Sequence, residues 1–208
     1  MKLVKTINKI FPYSAKYIGK IEDKPDTLRP MFQYINNQNK GFYPEHKPLV
    51  GVEVGIDIGI NAKKIMDKMH ITCLYLVDPY TCFDYQINGV TKTRTIKEQS
   101  KRKQIAKQYL KTYTDYEMVE WVIQTSRDAS RYLKDKTFDF IYLDGLHDYS
   151  NVLADCYDWY PLVKSGGLLG GHDFIGSHKD LQSAVKDFSS DKQLKLNVHP
   201  PDWWVIKP

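Results

Sequence analysis

From residue 49 onward, short apolar runs alternate with stretches whose apolar positions recur every three or four residues. Residues 49–55 form an apolar run ending in Gly55, and a helical pattern begins at Asn61 with Ile65, Met66 and Met69 on one side. Further runs occupy residues 73–77, 118–123 and 138–143, and a fifth contains residues 167–170. Between the fourth and fifth, Val152, Leu153, Cys156, Trp159, Tyr160 and Val163 mark a helix with one buried face, which Ser165-Gly166-Gly167 is expected to stop. This alternation predicts an α/β domain: a mostly parallel, Rossmann-like sheet with helices on both faces. Ligands of such sheets bind beyond the carboxyl ends of the strands, near the switch point.

Three segments stand outside this rhythm. Residues 1–48 read as an N-terminal extension, in which Asp26 caps a helix through Leu28, Met31, Phe32 and Ile35, and Asn37, Asn39 and Gly41 form a loop. Residues 81–114 are too long for a simple connection and read as an inserted, lid-like element. Its one expected helix, over residues 95–112, carries Lys97, Lys101, Arg102, Lys103, Lys107 and Lys111. That charge reads as a solvated face, with contact to an acidic substrate as the alternative. Residues 194–207 predict two more strands around Pro200-Pro201, with Trp203 and Trp204 packed in the core or, for one ring, lining a cleft. The main domain thus spans residues 49–208.

With 42% hydrophobic and 26% charged residues, the 208-residue chain is globular rather than disordered. A net charge of +5 is too mild to argue for nucleic acid. Residues 1–20 are basic, but Lys5, Lys9 and Lys16 interrupt any apolar run and Pro12 and Gly19 break a helix, so neither a secretory signal nor a membrane contact is expected. Cys73, Cys82 and Cys156 match no zinc or disulfide spacing, which makes a reducing cytoplasm the expectation.

Chemistry gathers after the strands. In residues 52–61 a strand carrying Glu53 runs through Gly55, Asp57 and Gly59 into a helix opening near Asn61. The glycines permit a tight turn and close approach of a ligand, and the helix start offers free N–H groups. The spacing G-x-x-x-G departs from the dinucleotide fingerprint, which counts against nicotinamide or flavin. Asp78 follows Gly59 by 19 residues, where a carboxylate is placed to accept both hydroxyls of a ribose.

Glu53-x-Gly55-x-x-x-Gly59 followed by Asp78 resembles the first two motifs of the class I S-adenosylmethionine-dependent methyltransferases. The resemblance implies that the glycine turn, with Glu53, Asp57 and Asn61, holds the methionine part of S-adenosylmethionine and that Asp78 holds its ribose. Ser126 falls where the family places adenine contacts; Ser126 and Asp128 serve equally well as helix caps.

Two later segments carry the reaction. Asp144-Gly145-Leu146-His147-Asp148-Tyr149 and Gly170-Gly171-His172-Asp173 end neighbouring strands, so Asp144, His147, His172 and Asp173 should meet at one edge. Charged groups there are costly unless paired, ligated or solvated. The two segments resemble a subgroup related to catechol O-methyltransferase and to macrocin-type sugar O-methyltransferases. That resemblance implies a divalent metal, Mg²⁺ or Mn²⁺, on Asp144 and Asp173 with His172 as a further ligand. His172 stands where relatives often have a carboxylate. His147 is the candidate general base, with Asp144 beside it in the catalytic set. Alternatives stay open: Asp144 as a metal-free contact to the donor, His147 as a helix cap or partner of Asp148, and His172 as an outer partner of the site.

The expectation is therefore O-methylation of a small hydroxylated molecule, a sugar or glycoside first and a phenol or catechol second. A nucleoside-binding domain without catalysis is the alternative. No nucleic-acid or membrane partner is expected, and the oligomeric state is open, a homodimer included.

Overall fold

The computed structural model describes residues 27–42, 47–87 and 90–208. Asp26 and the basic residues 1–20 lie outside the described residues. The elements are α1 (Pro30–Phe42), β1 (Leu49–Val54), α2 (Ile60–Lys68), β2 (Ile71–Val77), β3 (Phe83–Ile87), β4 (Val90–Arg94), α3 (Ile96–Tyr109), α4 (Lys111–Asp115), β5 (Val119–Val122), α5 (Ser126–Tyr132), β6 (Phe138–Leu143), α6 (Tyr149–Trp159), β7 (Val163–Gly171), α7 (Lys179–Asp191), β8 (Asn197–His199) and β9 (Asp202–Ile206).

Seven strands form one sheet in the order β5-β2-β1-β6-β7-β9-β8. β5, β2, β1, β6 and β7 pair in parallel, and β9 adds antiparallel to β7 and β8. The chain winds outward from β1 through β2 to β5, then returns to lay β6 on the other side of β1. That reversal is the switch point, and it sets the loops after β1 and β6 side by side.

The central strands are mostly apolar because both faces are covered. Val52, Val54, Ile141 and Leu169 face α5, α6 and α7, which contribute Ala129, Trp159, Val185 and Phe188. Leu74, Leu76, Phe140 and Tyr142 face α1, α2 and the inserted helices, which contribute Phe32, Ile65, Ala106 and Leu110. The helices on both faces are thus as expected, and α1 packs into the core through Met31, Phe32 and Ile35.

Four local expectations are corrected. α1 continues through Asn37, Asn39 and Gly41 instead of stopping in a loop. α6 ends at Trp159, ahead of Pro161, and Ser165-Gly166-Gly167 lies within β7. Pro161 has no N–H with which to continue the ladder, so it stops the helix before the glycines do. The insertion contains a hairpin, β3–β4, ahead of a shorter helix, and residues 110–112 fall at the α3–α4 junction. Thr95 starts α3 with a capping box: Glu98 N–H donates to its hydroxyl, and Glu98 accepts from Thr95 N–H. Both tryptophans of β9 are buried. No described helix is long and apolar enough to cross a membrane.

Candidate active site

The loop after β1 is built by its glycines. Gly55 and Gly59 have φ of 89° and 79°, in the left-handed region that only glycine enters without strain. At Gly55 a Cβ would collide with the Asp144 carbonyl, so the β1 turn and the end of β6 touch backbone to backbone. Asp144 N–H donates to Val54 O at 2.7 Å, which fixes the same junction. Gly59 precedes α2 and no side chain caps that helix start.

Asp78 sits at the tip of β2. Its Oδ2 accepts from the N–H groups of Ile56 (3.0 Å) and Asp57 (3.1 Å), and its Oδ1 accepts from Tyr80 N–H at 2.8 Å. The carboxylate therefore braces the glycine turn from the position expected for a ribose acceptor, and Oδ1 keeps spare lone pairs. Burial raises its pKa against the pull of those N–H groups. Glu53, 1% exposed, accepts from Asn61 Nδ2 at 3.0 Å through Oε1, while its Oε2 and Asn61 Oδ1 have no partner. Burial pushes the Glu53 carboxyl up to about 8. Asp57 is half-exposed and pairs with Arg102 of α3 and, at 3.5 Å, with Arg94 of β4. Arg102 is buried, so the basic helix is not solvated throughout: one of its cations closes onto the glycine turn.

Ser126 is the first residue of α5, and the cap is its neighbour Thr125, whose hydroxyl accepts from Asp128 N–H. The capping expected of Ser126 or Asp128 is thereby corrected. Ser126 Oγ donates to Asp155 Oδ1 at 2.5 Å and accepts from Trp159 Nε1 at 2.8 Å. Burial raises the Asp155 carboxyl to about 6, with Ser126 opposing. Asp155 of α6 borders a small cavity beside Gly145 with His147, Leu181 and Trp203.

The expected reaction residues do converge. Asp144, His147 and Asp173 each offer a ligand atom within 4.8 Å of the others, a geometry able to hold a metal ion. His147 Nε2 lies 2.5 Å from Asp173 Oδ2, and His172 Nδ1 lies 2.9 Å from Asp173 Oδ1 and 3.8 Å from Asp144 Oδ1. Asp173 turns the chain just past β7 with φ of 60°. His147 does not cap α6, since Asp148 does, accepting from Asn151 N–H at 3.1 Å. Its charged form is disfavoured by burial but favoured more by the hydrogen bond and charge of Asp173 and by Asp144, so its pKa is raised. Asp173 is lowered well below the carboxylate range: its two histidines outweigh burial.

Arg29 completes the cluster. Its Nη1 donates to Asp144 Oδ2 at 2.7 Å and to Tyr142 Oη at 3.0 Å. Tyr142 in turn donates to Asp202 Oδ1 at 2.8 Å, and Asp202 Oδ2 accepts from Met31 N–H at 3.0 Å, at the start of α1. Burial opposes the Arg29 charge, but Asp144 more than restores it. A lone arginine ahead of a helix carries no motif, and sequence reasoning missed it, as it missed Asp155. The hairpin had a usable signal: Asn88-Gly89 between alternating runs.

A doubly covered parallel sheet with a glycine turn, an acidic tip on β2 and acid–histidine pairs at the switch point has the architecture of the α/β domains that bind nucleoside-containing ligands. The chain belongs to the family described as "Methyltransferase domain", whose sequence profile matches residues 52–174. That span runs from β1 to just beyond Asp173 and contains Glu53, Asp57, Asp78, Ser126, Asp144, His147, His172 and Asp173, but not Arg29 or Asp202. A comparison with curated protein sequences returns no match. Among solved structures, the chain is similar to an O-methyltransferase from Bacillus cereus in complex with SAH: 12% identity, TM-score 0.57, covering 100% of this chain and 98% of that one. It is also similar to a Staphylococcus aureus protein assigned as a caffeoyl-CoA O-methyltransferase: 15% identity, TM-score 0.60, 99% of each chain. A third is CalS11, the calicheamicin methyltransferase, at 13% identity and TM-score 0.56, covering 99% and 91%. At these identities the likeness is one of fold.

Proposed function

We propose that this protein is an S-adenosylmethionine-dependent O-methyltransferase acting on the hydroxyl of a small molecule, a sugar or glycoside before a phenol. The observation that carries the reading is the meeting of the Gly55 turn, the Asp78 carboxylate and the Asp144–His147–Asp173 cluster at one switch point.

The residues fit the donor. Gly55 lets the turn close directly on the Asp144 backbone, Asp78 Oδ1 retains acceptor capacity for a diol, and Glu53 Oε2 is a buried polar atom awaiting a partner. When bound, S-adenosylmethionine supplies an electrophilic methyl group on a sulfonium. The protein's own work is to align and to deprotonate. His147 takes the proton of the acceptor hydroxyl, and Asp173 stabilises the imidazolium that results. Asp144 keeps one oxygen, Oδ1, turned toward His172 and the acceptor side.

The donor set also fits a divalent cation. Asp144 and Asp173 are hard oxygen ligands suited to Mg²⁺, and His147 or His172 admits Mn²⁺. Such an ion would lower the pKa of a bound hydroxyl. The relatives named above supply the O-methyl class; the sugar preference comes from the resemblance of the two strand-end segments to macrocin-type enzymes.

The test is transfer of labelled methyl from S-adenosylmethionine to a panel of sugars, glycosides and catechols. Product with label on oxygen is expected from the sugar arm. Tight binding of the donor with no transfer to any member would instead favour a nucleoside-binding domain without catalysis.

A further inference from the structure

Arg29 has no role in the reaction described above, yet it is held by several contacts at once. Its guanidinium reaches Asp144 and Tyr142, lies 5.4 Å from the centre of the Tyr142 ring and stays 22% exposed. The segment bearing it is tied down: Pro30 opens α1, Met31 N–H is capped by Asp202, and Met31 and Phe32 are fully buried. The charge is therefore fixed in place rather than swung in on a loose arm.

Its partner is the carboxylate beside the Gly55 turn, where the donor reading above puts the donor's amino-acid end. An α-amino acid is a zwitterion, with an ammonium and a carboxylate one carbon apart. A preformed Arg–Asp pair is the complementary arrangement, anion against ammonium and cation against carboxylate. We infer that the Arg29–Asp144 pair is the receptor for the amino-acid end of the donor, Arg29 taking its carboxylate and Asp144 Oδ2 its ammonium. The inference rests on the donor reading above and assigns a binding residue to the N-terminal segment, outside the family-matched span.

The exchange is balanced in charge. One ion pair opens and two form, so neither group is left buried without a counter-ion, and both charges were already largely removed from water before the ligand arrived. Arginine suits the task because its planar fork matches a carboxylate with two parallel N–H donors. The two oxygens of Asp144 face different neighbours, Oδ2 toward Arg29 and Oδ1 toward His172, so this role leaves the acceptor side free.

The experiment is calorimetric titration of the full chain and of Arg29→Ala and Arg29→Lys with two probes. S-adenosylhomocysteine carries the amino-acid end; 5′-methylthioadenosine lacks it. We expect Arg29→Ala to weaken S-adenosylhomocysteine roughly 10- to 100-fold while leaving 5′-methylthioadenosine unchanged, with Arg29→Lys between. Unchanged binding of both probes by Arg29→Ala overturns the inference, and so does an equal loss of both. If the unaltered protein binds neither probe, the donor reading fails first and takes the inference with it.

Discussion

His147 Nε2 and Asp173 Oδ2 lie 2.5 Å apart, joining the loop after β6 to the end of β7. The pairing holds the ring in place and raises its pKa above the ordinary histidine value, despite burial. A base must be neutral to work. Transfer should therefore rise with pH along a limb centred above ~6.5. Asp173→Asn removes the stabilising charge and should move that limb to lower pH while slowing transfer. A pH–rate profile of kcat/KM for both proteins checks this; an unmoved limb would show that His147 is not the titrating base.

Glu53 gives a prediction on stability. Its carboxyl is raised to about 8 by burial, opposed by Asn61. Below ~4.5 it is protonated folded and unfolded alike; between ~4.5 and about 8 only the unfolded chain ionises, so stability falls by up to ~1.4 kcal/mol per pH unit as pH rises. Glu53→Gln keeps a partner for Asn61 and should lose that slope. Urea unfolding of both proteins across this window measures the difference.

The glycines of the β1 turn should separate strain from collision. Gly59→Ala meets Leu110 Cδ1 at 3.2 Å, a side chain that can give, and should cost about the 1–2 kcal/mol of a left-handed residue. Gly55→Ala meets the Asp144 carbonyl itself, so it should cost more and also abolish donor binding. Denaturation midpoints and a donor titration check both halves.

For the metal, Asp144→Asn and Asp173→Asn should each abolish Mn²⁺ binding, while His172→Ala should weaken it; chelation should stop transfer. Calorimetry with Mn²⁺ and an assay in EDTA are the measurements. Full activity in EDTA would leave deprotonation to His147 alone.

Much of this site was legible before any coordinates. The β1 and β6 strands announce themselves because both faces are buried, which leaves mostly apolar runs broken only by Glu53 and Asp139, and the residues that end them carry the chemistry. Asp144, His147, His172 and Asp173 could be placed together from strand adjacency. The hairpin of the insertion was missed because β3 and β4 mix polar with apolar residues and so carry no apolar run. Asp155 was missed because on a helix a carboxylate reads as part of the wet face, and only packing against Ser126 and Gly145 reveals otherwise. Arg29 depends on a contact 115 residues away in sequence, which no local pattern encodes.

The most direct test of donor binding is the melting temperature with and without S-adenosylhomocysteine. At a hundredfold excess over Kd, a ligand of the native state adds about 2.7 kcal/mol, which for a chain of this size raises the midpoint by roughly 5–10 °C. The site described here predicts that rise, its loss in Gly55→Ala, and no response to NADH. A midpoint indifferent to S-adenosylhomocysteine, or one that NADH raises equally, would contradict it.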